Sequence, residues 1–271
     1  MNRAIRNGDV PRTGVNLADV ARVIIARDIS YADVSPRNVL DVYRSRDARD
    51  RAPVLLFVHG GAWEHGDKKS CAPYAIRFAL RGYVCVAMNY RLSQDAPYPA
   101  AVDDVRAAMA WTREHAPEYG GDGERIGLVG QSAGAHLAML AAYGGGKEAI
   151  APICLVEFYG PADLADPAAR NMKSVRRFLD GTYRKAPGRY RDASPLSRVT
   201  PHAPPTLIIH GTVDTLVPVR QADALARALE TAEVPCTIIR LEGWGHAMDR
   251  AGPVFAYCAD AMERFLRRYL P

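Results

Sequence analysis

The chain has 271 residues, 48% hydrophobic and 24% charged, with a formal net charge of +5; this is an ordinary globular profile, large enough for one substantial core. The basic residues are interspersed with acids, and doublets such as Lys68-Lys69, Arg176-Arg177 and Arg267-Arg268 read as solvated surface, so nucleic acid is not an expected partner. No apolar run is long enough to span a bilayer, the stretch "MNRAIRNGDVPRTG" lacks the apolar core of a signal peptide, and 5 dispersed cysteines without a C-x-x-C pair argue against a disulfide framework; the expectation is a soluble cytoplasmic protein that does not engage a membrane.

In chain order, "ARDISYA" (26–32) and "NVLDVYR" (38–44) alternate in polarity and predict an antiparallel hairpin at one sheet edge. "PVLLFVHG" (53–60) is a continuous β run ending in glycine, and "YAIRFALRG" (74–82) is helical with a glycine stop. "YVCVAMNY" (83–90) returns to a strand, and 99–120 places Val102, Val105, Met109 and Trp111 near one face of a helix that begins after a proline. "RIGLVG" (125–130) is a strand and 133–143 a helix. "PICLVEFYG" (152–160), "PPTLIIHG" (204–211) and "PCTIIRLEG" (235–243) are three further strands. Amphipathic helices over 219–234 and 254–270 complete the chain. This alternation predicts an α/β fold with a mostly parallel eight-stranded sheet, helices on both faces and one domain over 1–271. Residues 161–203 break the pattern, with a short helix in "NMKSVRRFLDGTY" and then a polar, proline-containing stretch; a segment of that kind reads as a small lid or cap.

Between the strand and helix at 125–143 sits Gly130-Gln131-Ser132-Ala133-Gly134, a G-x-S-x-G. By composition alone this pattern occurs in about one chain in ten of this length, so its placement decides its meaning. A serine on a sharp turn between strand and helix has its hydroxyl exposed above the sheet edge, next to a helix N-terminus that favours an oxyanion. A second element, His59-Gly60-Gly61-Ala62-Trp63, follows an earlier strand, and its small residues let backbone N–H groups point into a site. A nucleophilic serine needs a base and an orienting acid. Of the 7 histidines, His246 in "EGWGHAMD" lies on a loop after the last strand, where it is able to reach Ser132. His59 belongs to the glycine loop, His65, His115 and His202 to polar or loop positions, His136 to the packed helix after the serine, and His210 to a strand end bracing the next turn. Asp214 in "HGTVDTLVP" follows a strand at the carboxyl edge of the sheet and is the first candidate acid, with Asp163 in "FYGPADL" the second. The order Ser132, Asp214, His246 is the one this architecture uses.

With those residues in place, "HGGAWEHGDK", "NYRLSQDAPYPAAVDDVRAAMAW", "GQSAGAH", "IIHGTVDTLVP" and "GWGHA" together resemble the α/β-hydrolase superfamily, from about Pro53 to the C-terminus. The closer likeness is to the esterase/lipase branch with an HGG oxyanion loop, which includes hormone-sensitive-lipase-like carboxylesterases, a bacterial feruloyl-esterase-like group and arylformamidases. The resemblance implies Ser132 as nucleophile, His246 as base, Asp214 as orienting acid, and backbone N–H groups of Gly61, Ala62 and Ala133 as the oxyanion hole. It implies a serine hydrolase cleaving small or aryl carboxylic esters through an acyl-serine, with no cofactor and no metal. Two departures stand out: Ala62 replaces a third glycine, and Gln131 precedes the serine where an acid or histidine is common. Trp63 and Trp244 flank the proposed loop and base and are candidate pocket walls. An arylformamidase and a non-catalytic binding protein on the same fold are the alternatives. The oligomeric state is not set by the sequence, and a homo-oligomer stays open.

Overall fold

The computed structural model describes residues 14, 16–144 and 150–271. The N-terminal stretch read above as lacking a signal-peptide core falls, up to residue 13, outside them. The strands are β1 (Val23–Ser30), β2 (Val39–Ser45), β3 (Ala52–Val58), β4 (Val84–Met88), β5 (Gly121–Gln131), β6 (Cys154–Phe158), β7 (Thr206–Gly211) and β8 (Cys236–Leu241). The helices are α1 (Leu17–Ala21), α2 (Ala72–Ala79), α3 (Ala100–His115), α4 (Ala133–Tyr143), α5 (Pro167–Arg170), α6 (Lys173–Phe178), α7 (Pro187–Asp192), α8 (Arg220–Thr231) and α9 (Gly252–Tyr269). One eight-stranded sheet runs in the order β1-β2-β4-β3-β5-β6-β7-β8. β1 pairs antiparallel with β2, and β2 with β4; every other pairing is parallel. The α/β-hydrolase architecture expected from the sequence, with its antiparallel N-terminal pair, is the one observed.

The reason lies in the two-sided burial of the central strands. Along β3, Val54, Leu56 and Val58 enter one core, which α3, α4, α6 and α8 cover. Leu55 and Phe57 enter a second core on the opposite face, under α2 and α9. A strand buried on both faces must be apolar at every position, which is why these runs read as continuous rather than alternating. Each fully buried leucine or phenylalanine contributes about 1.5–3 kcal/mol relative to exposure. The outer pair is tied in by Lys68, whose buried ammonium donates to Asp28 (2.7 Å) and Asp41 (2.6 Å). No helix among the described residues is long and apolar enough to cross a membrane, and all five cysteines are free.

Residues 161–203, between β6 and β7, hold three short helices rather than the one expected. Proline stands in the first turn of α5, of α7 and of the 3-10 turn Pro195–Arg198. There its fixed φ and missing N–H favour a helix start. The prolines of this stretch therefore begin helical turns. The parallel strands deliver the turns after β5, β7 and β8 to one edge of the sheet, where open α/β sheets assemble their sites.

Candidate active site

β5 ends at Gln131 and α4 begins at Ala133, leaving Ser132 alone at the corner with φ 53° and ψ −120°. A non-glycine residue there carries strain of order 1–3 kcal/mol. Its neighbours hold it in place: the Ser132 N–H donates to the Phe158 carbonyl (2.8 Å) and the Ser132 carbonyl accepts from His136 N–H (3.1 Å). The two motif glycines are required by contact. A Cβ on Gly130 would lie 2.5 Å from the Ala135 Cα, and one on Gly134 would lie 2.2 Å from the Val58 carbonyl oxygen.

The Ser132 Oγ lies 2.9 Å from His246 Nε2, and His246 Nδ1 lies 2.7 Å from Asp214 Oδ2. Asp214 is buried, and its Oδ1 accepts from the N–H groups of Leu216 (2.8 Å) and Val217 (2.9 Å). Burial opposes ionisation of this carboxyl, but His210, His246 and the Val217 N–H outweigh it and hold its pKa well below the usual carboxylate range. An ionised Asp214 requires Nδ1 of His246 to carry the proton, which leaves Nε2 to accept from the Ser132 hydroxyl. His210 Nε2 donates to the Val217 carbonyl (2.7 Å) and lies 3.4 Å from Asp214 Oδ2, so it braces the acid-bearing turn. Asp163, the second candidate acid, accepts instead from Ala165 N–H (2.8 Å) and the Ser194 hydroxyl (3.3 Å). It organises its own turn.

The glycine loop after β3 has positive φ at Gly61 (132°), Ala62 (53°) and Trp63 (60°) in succession. The Gly61 carbonyl accepts from Glu64 N–H (3.1 Å) and His65 N–H (2.9 Å). His59 is buried, stacked on Tyr90 with centroids 4.3 Å apart, and Nδ1 sits 2.8 Å from the Gly60 carbonyl. Burial pushes its pKa down to about 4, so the ring is neutral at physiological pH and Nδ1–H donates. Ala62 and Ala133 line the same pocket as Ser132, and a Cβ on Gly61 would lie 2.0 Å from the His65 carbonyl oxygen. Ala133 opens α4, where backbone N–H groups have no intrahelical acceptor.

The pocket beside Ser132 is walled by Trp63, Met172, Val175, Leu216 and Pro218. Trp63 is nearly buried; its ring stacks on Phe178 at 4.8 Å, and Nε1–H donates to His136 Nδ1 at 3.2 Å. His136 Nε2–H in turn donates to the Ala193 carbonyl (2.7 Å). Burial lowers the His136 pKa to about 4, which keeps Nδ1 free to accept. This line joins the glycine loop, α4 and the 161–203 segment, and nothing local to any one of them announces it. Trp244 is not part of the pocket wall. It packs partly buried against the second core, and its carbonyl accepts from Val213 N–H (3.0 Å).

The sequence reading missed a further buried group. Asp249 lies three residues after His246 and accepts from Gln131 Nε2 (2.6 Å) and from the Tyr159 hydroxyl (2.7 Å). The Tyr159 ring stands edge-on to the His246 ring at 4.8 Å. An acid so soon after the candidate base is the one signal that could have drawn attention to it. Among the described residues no cluster of three or more His, Cys, Asp or Glu is arranged to hold a metal ion.

A family model described as BD-FAE matches residues 40–229. Esterase LipQ of Mycobacterium tuberculosis (strain ATCC 25618 / H37Rv) is 36% identical over 259 residues, covering 88% of this chain and 61% of its own length. Esterase LipC of the same strain is 36% identical over 276 residues, covering 91% of this chain and 66% of its own. The chain thus spans roughly three-fifths to two-thirds of the length of these curated relatives. Among solved structures, the esterase Est2 of Thermogutta terrifontis superposes with a TM-score of 0.75 at 25% identity, covering 90% of this chain and 91% of its own. A truncated carbohydrate esterase from gut microbiota superposes with a TM-score of 0.79 at 23% identity, over 89% of this chain and 95% of its own, a likeness of fold.

Proposed function

The chain belongs to the BD-FAE family, and on that premise we propose that it is a serine esterase hydrolysing carboxylic esters with short acyl or compact aryl groups. The observation that carries the reading is the unbroken line from Ser132 Oγ through His246 to Asp214, opening on an apolar pocket. In the proposed cycle His246 Nε2 takes the Ser132 proton as Oγ attacks the ester carbonyl. Asp214 holds the Nδ1–H tautomer and stabilises the imidazolium. Backbone N–H groups of Gly61, Ala62 and Ala133 receive the oxyanion; one such donor is typically worth about 2.7–4 kcal/mol. His246 then protonates the departing alcohol, and water activated by the same imidazole releases the acid from Ser132.

The pocket walls support the substrate class. Gln221 is the one amide in the lining, and its polar atoms are engaged. Its Oε1 accepts from Ala162 and Asp163 N–H (2.9 and 2.7 Å), and Nε2 donates to the Asp163 carbonyl (2.9 Å). A chain entering here meets carbon, which suits a neutral acyl or aryl group and offers nothing to a charged one. We read 161–203 as a cap that limits the length of that group through Ala169, Met172 and Val175. The names carried by the relatives support ester hydrolysis over a formamidase or a non-catalytic binder. Steady-state rates on p-nitrophenyl acetate, butyrate and decanoate test it. The acetate or butyrate is expected to be the better substrate, and faster turnover of the decanoate contradicts the short-chain reading.

A further inference from the structure

The esterase reading uses His246 and Asp214 but leaves a second buried aspartate beside the same histidine without a task. Asp249 occupies a 3-10 turn, Met248–Arg250, that follows directly on Ala247, a non-glycine residue at φ 56°. The loop bearing His246 therefore doubles back through a left-handed residue, and Asp249 sits where the chain has just turned. Its two carboxylate oxygens reach different parts of the site. Oδ2 accepts from Gln131 Nε2 at 2.6 Å, and Gln131 is the residue immediately before Ser132. Oδ1 accepts from the Tyr159 hydroxyl at 2.7 Å, and the Tyr159 ring forms an edge-on wall against the His246 imidazole. These partners lie 118 and 90 residues away in the chain.

We propose that Asp249 is a positioning residue that holds the nucleophile corner and the His246 loop in one register, setting the Ser132–His246 line for proton transfer. The inference rests on the esterase reading for its turnover data only. The imidazole is fixed at Nδ1 by Asp214, which leaves rotation of the ring and drift of its loop as the remaining freedoms. The Tyr159 ring opposes the first, and Asp249 fixes that ring through the hydroxyl. Asp249 opposes the second directly, by hydrogen-bonding the loop to Gln131. The Tyr159 link is a buried hydrogen bond and the Gln131 link a part-buried one, and the buried carboxyl they share is costly to leave half-paired. The departure at Gln131 acquires a reason here. An acid at that position would face the Asp249 carboxylate, whereas an amide donates to it.

The test combines kinetics with a readout independent of turnover. Asp249→Ala is expected to lower kcat roughly 10-fold to 100-fold, because small displacements of reacting groups cost that much, with KM within about threefold. Labelling of Ser132 by a serine-reactive phosphonate should slow in parallel. Asp249→Asn, whose amide oxygen still accepts from one donor, should recover part of the loss. Tyr159→Phe keeps the ring and removes only the hydroxyl, so it reports even where Asp249→Ala does not fold. In the proton NMR spectrum the His246 Hδ1 resonance should broaden or shift in Asp249→Ala and Tyr159→Phe. Rates and resonance unchanged in a folded Asp249→Ala and in Tyr159→Phe overturn the proposal, as does a loss of kcat fully explained by a lower folded fraction. A wild-type protein that neither hydrolyses esters nor labels at Ser132 would count against the esterase reading instead, and the Hδ1 resonance would still decide the role of Asp249.

Discussion

Asp214, in the turn after β7, and Asp249, in the turn after β8, are carboxyls of equal length, 6% and 4% exposed. Burial alone would raise both pKa values. It does raise that of Asp249, against the opposing Tyr159 and Gln131 hydrogen bonds. For Asp214 burial is overcome, because two imidazoles and the Val217 N–H favour its ionised form. Burial pushes both carboxyls the same way, and the charged or chargeable donors around Asp214 reverse the outcome there. Glu157 on β6 extends the series. It is fully buried, accepts from Gly160 N–H alone among the contacts described (2.8 Å), and burial, only partly offset by His210, pushes its pKa up to about 7.

The comparison is broken most severely at Asp214. Asp214→Asn removes the charge and reverses the tautomer that His246 needs, and kcat should fall roughly 10⁴-fold in steady-state assays. Asp249→Asn should cost far less, and equal losses in the two variants would erase the distinction drawn here. At Glu157 the effect is on stability. Its folded pKa lies above the ordinary value of 4.5, so the folded state binds the proton more tightly than the unfolded chain. Stability from this group is present below that value and is lost as pH rises to about 7, on the order of 3 kcal/mol in all. Thermal or urea unfolding from pH 5 to pH 8 should therefore show wild type losing ground to Glu157→Gln, and parallel curves would contradict it.

Two smaller effects concern the pocket. Val175→Ala lengthens the apolar wall by a methyl-sized space or more, and the ratio of kcat/KM for the hexanoate over the acetate should rise roughly tenfold. An unchanged ratio would remove 161–203 from the control of chain length. Trp63→Phe keeps the stack on Phe178 but leaves His136 Nδ1 without its donor. It should cost about 1–3 kcal/mol in unfolding free energy, and a neutral change would mean that the Trp63–His136–Ala193 line carries no stability.

What could be read from the sequence divides along physical lines. The strands were legible because burial on both faces makes a run such as Val54–Val58 apolar throughout. The Ser132 corner was legible because its requirements stand within five residues as G-x-S-x-G: Gly130 meets Ala135 nearby, and Gly134 meets the adjacent strand β3. Of the three short helices of 161–203, α6 was legible within "NMKSVRRFLDGTY", and α5 and α7 were not. Those two are too short to show a period, and their segment is held by contacts distant in the chain: Gln221 Nε2 donates to the Asp163 carbonyl from outside it, and within it the Ser194 hydroxyl accepts from Leu164 N–H (2.8 Å). Trp63 and Trp244 looked equivalent as neighbours of the expected site. Only the tertiary packing separates them, since Trp63 turns toward the pocket and Trp244 toward the second core. Asp249 was missed for the same reason: its partners come from β5 and the end of β6, and no local pattern records the meeting.

We propose that Ser132 is the nucleophile of an ester hydrolase. A serine-reactive phosphonate, followed by peptide mass spectrometry and parallel assay on p-nitrophenyl butyrate, tests it directly. The expected result is a single adduct on Ser132, with activity lost in proportion to labelling, and a folded Ser132→Ala variant that neither labels nor turns over. A folded Ser132→Ala variant that hydrolyses the butyrate at a near wild-type rate would contradict it.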